Sequence, residues 1–173
     1  MTPYREMALN NAWSNATLYA ALSGLDTAAF TAPRPGFFAS LTETMNHIYA
    51  VDLYYIDALE EAGLGRSVYN RARVDDVPTL AALQAEADLR LARFCTGLSE
   101  TDLTRTVTTA RGDAPGAAER VEWLLLHLFQ HQVHHRGQAH VQLSHAGIAP
   151  PQLDEFFLDY DRAPTAHPYW TET

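Results

Sequence analysis

Apolar residues recur along this chain at three- and four-residue intervals, the spacing of helices with one greasy face. The first such segment, "YREMALNNAWSNATLYAALSGL", follows Thr2-Pro3, a pair suited to the N-cap and first helical position, and is predicted to run to about Leu25. It is apolar on two faces, Met7, Leu18, Leu22 and Leu25 on one and Leu9, Trp13, Ala16 and Ala20 on the other, as for a helix sandwiched between neighbours. "TAPRPGF" breaks the pattern. Ser40 and Glu43 then have capping-box spacing at the head of "LTETMNHIYAVDLYYIDALEEAG", a second helix predicted to end near Gly63.

Residues 64–77 read as loop, and from Pro78 to about Leu98 a third helix repeats Leu80, Leu83, Ala87, Leu91, Phe94 and Leu98 on one side. "LTRTVTTARGDAPGAA" places β-branched residues before Gly-Pro turns, which predicts a connection with a scrap of extended chain. Its Arg-Gly-Asp tripeptide reads as chance or as a turn. A fourth helix is predicted from about Ala118 to Ala146, stopped by "GIAPP". "QLDEFFLDY" is expected to add one or two turns before a polar, mobile tail at 161–173. The class is therefore all-α: a four-helix bundle with a short C-terminal helical extension, one domain over residues 1–160. A chain of 173 residues can bury the core this requires.

Composition narrows the function. The net charge of −9 argues against nucleic acid or an anionic membrane as partner. All twelve basic residues are arginine, so Schiff-base chemistry and a phosphate-gripping lysine are removed together. Cys95 is the only cysteine, which excludes an internal disulfide and cysteine-rich zinc sites and suits a cytoplasmic setting. The N-terminus lacks a secretory pattern, and the apolar runs are too short for a bilayer span.

What stands out is "LFQHQVHHRGQAH", residues 128–140, with His131, His134, His135 and His140. On a helix His131 and His135 are about 40° apart, one turn separated. Such a pair can share one metal ion. His127 continues the stripe a turn earlier, His134 flanks it and His140 falls on the opposite face, where it is expected to be solvated. A third ligand must come from another helix, and His47, midway along the second helix, is the histidine placed to provide it. The predicted centre is His47, His131 and His135, binding one divalent transition metal ion with coordination positions open, the mark of catalytic sites. Three neutral nitrogens suit zinc or nickel, with iron, manganese and copper as alternatives. A zincin would have glutamate where Gln132 stands, and no paired Glu-x-x-His motif of a di-iron bundle exists.

Several neighbours are candidates with two readings each. Glu43, one turn before His47, is a fourth ligand, a carboxylate orienting an imidazole, or a capping carboxylate. Tyr54 donates to a substrate or packs in the bundle. Trp13 roofs the cavity or belongs to the core. Gln138 and Gln142 line the cavity or bond within it. His127 and His134 are candidate proton shuttles. Asp52 and Arg136, charges in apolar helices, form a buried ion pair or two solvated charges, with Gly137 allowing close helix approach. Cys95 is expected to be inert. Leu126, Phe129 and Val133, on the face opposite His131, suggest a homodimer contact.

The "HHRGQ" block with a histidine four residues before its second histidine, "SLTETMNHIYAVDLYYIDAL", and "NNAWSNATLYAAL" together resemble the DinB family of DNA-damage-inducible, metal-binding four-helix bundles. The likeness spans about residues 4–160. It implies an up-down-down-up topology, a commonly dimeric protein, and a metal held by His47, His131 and His135. It also implies kinship with transferases and isomerases that use bacillithiol or mycothiol. The resulting expectation is a metal-dependent hydrolase, or a transferase of a low-molecular-weight thiol, acting on a small molecule through metal-bound water or thiolate. The alternative is a non-catalytic metal-binding stress-response protein, a sensor or buffer.

Overall fold

The structure, a computed structural model, describes residues 3–112 and 114–171. It is mostly helical. In chain order the elements are α1 (Pro3–Leu22), α2 (Thr27–Thr31), α3 (Leu41–Glu60), a 3-10 turn over Gly65–Asn70, α4 (Val77–Thr96), α5 (Glu100–Thr104), β1 (Thr106–Arg111), β2 (Ala114–Arg120), α6 (Val121–His145), a 3-10 turn over Pro164–Ala166 and α7 (His167–Thr171).

The ends of the long helices follow local chemistry. α1 stops three residues before the predicted Leu25, because Asp26 instead caps α2, its carboxylate accepting from Ala29 N at 2.7 Å. At the head of α3, Ser40 Oγ accepts from Glu43 N at 3.2 Å. α3 ends ahead of Gly63, with Glu61 in the left-handed region at φ 55°. Asp76 starts α4 by accepting from both the amide and the hydroxyl of Thr79.

The expected scrap of extended chain is a two-stranded antiparallel hairpin, with Val107 opposite Glu119 and Thr109 opposite Ala117. Val107 and Thr109 point into the protein while Thr106 and Thr108 are exposed, the period-two pattern of a strand. Pairing captures residues 118–120, so α6 begins at Val121 rather than Ala118. Gly116 is required there, since a Cβ would lie 2.5 Å from Thr108 Cγ2.

The C-terminal segment corrects two expectations. "QLDEFFLDY" is not helical, and the predicted mobile tail, as far as residue 171, packs on α1. Phe156 is fully buried against Trp13 and Trp170, with ring centroids 5.7 and 5.5 Å away. Trp13 Nε1 donates to Thr165 Oγ1 at 3.0 Å. Two aromatic anchors and one indole hydrogen bond outweigh the tail's polar composition.

α1 packs on α4 and α6, and α3 packs on the same two helices. Leu18, Leu22, Met45, Ile48, Leu91 and Leu125 lie in the core they enclose. Cys95 is buried there, its thiol pushed up to about 12 by desolvation, so it stays protonated. Phe129, expected on an outward strip, is also in the core, whereas Leu126 and Val133 are exposed. The residues differ because the core wraps farther round α6 than a single stripe.

All four long helices meet in a buried polar network. Asp52 and Arg136 are both buried, as the ion-pair reading requires, yet they do not touch; carboxamides stand between them. Arg136 Nη1 donates to Asn11 Oδ1 at 2.6 Å, Asn15 Oδ1 at 3.0 Å and Gln132 Oε1 at 3.1 Å. The amino groups of the same residues turn the other way. Those of Asn11 and Asn15 donate to Asp88 at 3.1 and 3.0 Å, and that of Gln132 donates to Asp52. Gln84 Nε2 donates to Asp52 at 2.7 Å and to Asp88 at 3.2 Å. Gly137 is not a close-approach site: nothing lies within 4 Å of where its Cβ would be.

Burial raises Asp52 from 3.8 to about 7, against hydrogen bonds from Gln84 and Gln132. Burial and then the neighbouring Asp52 raise Asp88 to about 8. Both folded values exceed the unfolded one, so the stabilisation they bring is complete below pH 3.8 and is lost as pH rises through about 7 and about 8. Asp88→Asn removes one of the two titrations. Its stability measured against wild type in urea should improve steadily from pH 4 to 8; a pH-independent difference would show that Asp88 is not held protonated.

Candidate metal centre

α3 and α6 bring His47, His131 and His135 together, one ligand atom of each lying within 4.8 Å of the others. His47 Nε2 and His131 Nε2 are 3.0 Å apart, and the ring centroids of His131 and His135 are 4.3 Å apart. Tetrahedral bonds to zinc near 2.0–2.1 Å would separate nitrogens by about 3.3 Å. The His47–His131 spacing is close to that value, and the third imidazole is near enough to turn its nitrogen towards the same cation. His131 Nδ1 is buried without a hydrogen-bond partner. No carboxylate belongs to this cluster among the described residues, so the donor set is three neutral imidazoles.

Gln138 fixes one of them. His135 Nδ1 and Gln138 Oε1 are 2.8 Å apart, which places the proton on Nδ1 and leaves Nε2 its lone pair. The Gln138 amino group is then free to donate to His134 Nε2, 3.0 Å away. Histidines 134 and 135 are thus linked through one carboxamide one turn down the same helix.

The rings are held neutral. Burial first, then His135, lowers His47 from 6.5 to about 4. Burial first, then the charges of His135, His47, His127 and His134, lowers His131 to about 3. His135 is lowered chiefly by burial, partly offset by Gln138. His127 is exposed beside the cluster, its ring edge-on to Tyr55 at 5.1 Å and 6.4 Å from His131.

The remaining candidates are placed elsewhere. Glu43 Oε2 accepts from Ala39 N at 2.9 Å, so the carboxylate serves the start of α3 and stands outside the histidine cluster. Tyr54 donates its hydroxyl to the Ala110 carbonyl on β1 and stacks on Tyr69 at 5.5 Å, under the hairpin. Trp13 packs on Phe156 and roofs nothing here. Gln142 sits between Thr44, whose hydroxyl donates to it at 2.7 Å, and the Phe38 carbonyl, to which it donates at 2.8 Å. His140, expected in solvent, has a buried Nε2 without a partner, and burial and Arg136 lower its pKa.

Sequence reasoning passed over Phe37 and Phe38 in the segment it read only as a break. Phe38 lies 4.6 Å from the His47 ring and 5.6 Å from that of His135; Phe37 is 77% exposed and 6.5 Å from His135. An aromatic pair in a Pro-Gly loop just before the histidine-bearing helix was the available signal.

The DinB family profile matches residues 1–166. The chain belongs to the DinB family. No curated protein matches it. Among solved structures, it is similar to a DinB-like protein from Bacillus cereus with a TM-score of 0.61 and 19% identity, over 81% of this chain and 90% of that one. At that identity the likeness concerns the fold, and the DinB chain's own residues must carry any functional argument. No helix among the described residues is long and apolar enough to cross a membrane.

The depressed histidine values carry a sign. Unfolded rings take up protons near 6.5 and the folded ones only towards about 4 and about 3, so the metal-free protein loses stability as pH falls through that window. Denaturant titrations of metal-free wild type should fall more steeply from pH 6.5 to 4 than those of His131→Ala. Equal slopes would mean that the rings are not held neutral by one another and by burial.

Proposed function

We propose that this DinB protein binds one divalent transition metal ion at His47, His131 and His135, and uses it as a hydrolase or as a transferase of a low-molecular-weight thiol. The observation that carries the reading is the neutral, carboxylate-free trio of donors from two helices, with His47 and His131 only half-buried. Three neutral ligands leave the ion's full charge available, and when bound it lowers the pKa of a water or thiol at the centre. Zinc and nickel suit the donors best, then iron, manganese and copper.

The chain's own groups have separate tasks. Gln138 holds His135 in the tautomer that presents Nε2 to the cation. Phe38 shields the rings of His47 and His135 from water on one side, and Phe37 offers an exposed apolar face to a substrate. His127 and His134, both exposed, are the groups available to carry protons to solvent. A metal-binding sensor or buffer without turnover is the second reading, favoured by the close cover of Phe38 over His47.

The wider arrangement is part of the proposal. α3 runs parallel to α4, with 52 near 84 and 60 near 90, and antiparallel to α6, with 44 near 142 and 52 near 132. These registers support an up-down-down-up bundle. Leu126 and Val133, joined by exposed Trp123, supply the apolar face of a homodimer.

Metal analysis of the purified protein, then a screen of thiol conjugation and ester and amide hydrolysis, tests the reading. Wild type should hold close to one ion per chain, His131→Ala none, and Gln138→Ala should bind about 10–100-fold more weakly. Turnover that survives in metal-free His131→Ala would refute the enzyme reading, and failure of wild type to bind any of the five metals would refute both.

A further inference from the structure

On the other side of the molecule α1 and α4 face each other through small side chains, Ala16 and Ala20 on one and Ala81 and Ala85 on the other. The space between them is a cavity of about 490 Å³. That is the volume of a small-molecule site. Its walls are apolar, and Ala16, Ala20 and Ala85 stand at its exposed rim. Its floor is different: Gln84, Asp88 and Asn15 of the buried network line it, with Tyr19 beside them.

Two of those polar groups have no partner among the described residues. The Tyr19 hydroxyl and Gln84 Oε1 are both buried and make no hydrogen bond, although both residues are more than nine-tenths buried and line the cavity. A native fold rarely leaves a buried polar atom without a partner. Gln84 Oε1 can only accept, so the missing partner is a donor. Asp88 Oδ2 has one donor, Asn15 at 3.1 Å, and room for another, whereas Oδ1 already takes three amide donors. The unfilled acceptors call for a group that carries several donors.

We infer that this cavity binds a small primary amine, its ammonium head on Gln84 Oε1 and Asp88 and its apolar body between the alanine faces of α1 and α4. The Tyr19 hydroxyl closes round the head as a further acceptor. The ammonium's three N–H groups equal these three oxygens in number, and its charge favours the ionised form of Asp88. The alanines set the width, admitting an unbranched alkyl chain or one aromatic ring. This site is independent of the histidine centre and does not rest on its assignment.

Calorimetric titration of the full-length, metal-free protein with n-hexylamine, 1-hexanol and hexanoate tests it, with benzylamine as an aromatic probe. The amines should bind saturably and hexanol at least about tenfold more weakly, the worth of one charge-assisted hydrogen bond. Hexanoate should not bind. Ala85→Leu, an exposed helical position where leucine is tolerated, should abolish binding by filling the mouth. Tyr19→Phe should weaken it about tenfold. His131→Ala should leave it unchanged, which separates this site from amine ligation at a metal. Hexanol binding as tightly as hexylamine would overturn the inference, as would amine binding untouched by Ala85→Leu. So would sedimentation showing that Ala85→Leu splits a dimer, since a second copy would then be what covers the groove.

Discussion

One guanidinium, Arg136, sets the relative rotation of all four long helices. It is buried, cannot lose its charge near neutrality, and must therefore be surrounded by oxygen. Asn11 and Asn15 of α1 and Gln132 of α6 present their carbonyl oxygens to it, and their amino groups are thereby aimed at Asp88 of α4 and Asp52 of α3. A carboxamide used this way is a dipole inserted between a guanidinium and an acid. It bonds to both without bringing them into contact. Rotating any one helix breaks bonds in a place where water cannot replace them, which makes the arrangement specific even where its net contribution to stability is small.

The histidine centre inherits its geometry from that constraint. Gln132 and Arg136 are one turn apart on α6 and point inward; His131 and His135 precede them by one residue each, about 100° round the helix. Holding the first pair in the network turns the second pair towards α3. On α3 Asp52 performs the same service for His47, five residues earlier. The result is three imidazoles close enough to repel one another as cations, partly desolvated, and so kept as neutral donors at neutral pH. Gln138 adds the last degree of order by choosing a tautomer for His135.

The two sides of the network have opposite character. Towards α3 and α6 it is backed by rings: His47, His131 and His135 in mutual contact, with Phe38 against His47 and His135. Towards α1 and α4 it is backed by alanines and empty space, and there its acceptors are left unfilled. Large side chains on one side and small ones on the other let a single polar layer serve as the wall of the histidine cluster and the floor of a cavity.

The helices, their caps at Ser40 and the pairing of His131 with His135 were legible in the sequence, because periodicity and capping are properties of a few consecutive residues. So was His47, by its height along α3. The burial of Asp52 and Arg136 was visible as charge in apolar helices, but the rest of their network was not: Asn11, Asn15, Gln84, Gln132 and Asp88 look like surface residues until four helices are rotated into place. The same holds for the paired strands around Gly116, for Phe38 over the histidines, and for Trp13, whose partners arrive from the far end of the chain. Sequence alone determined which faces each helix has. Only the tertiary structure decided which faces meet, since a polar side chain's role depends on partners that chain distance does not specify.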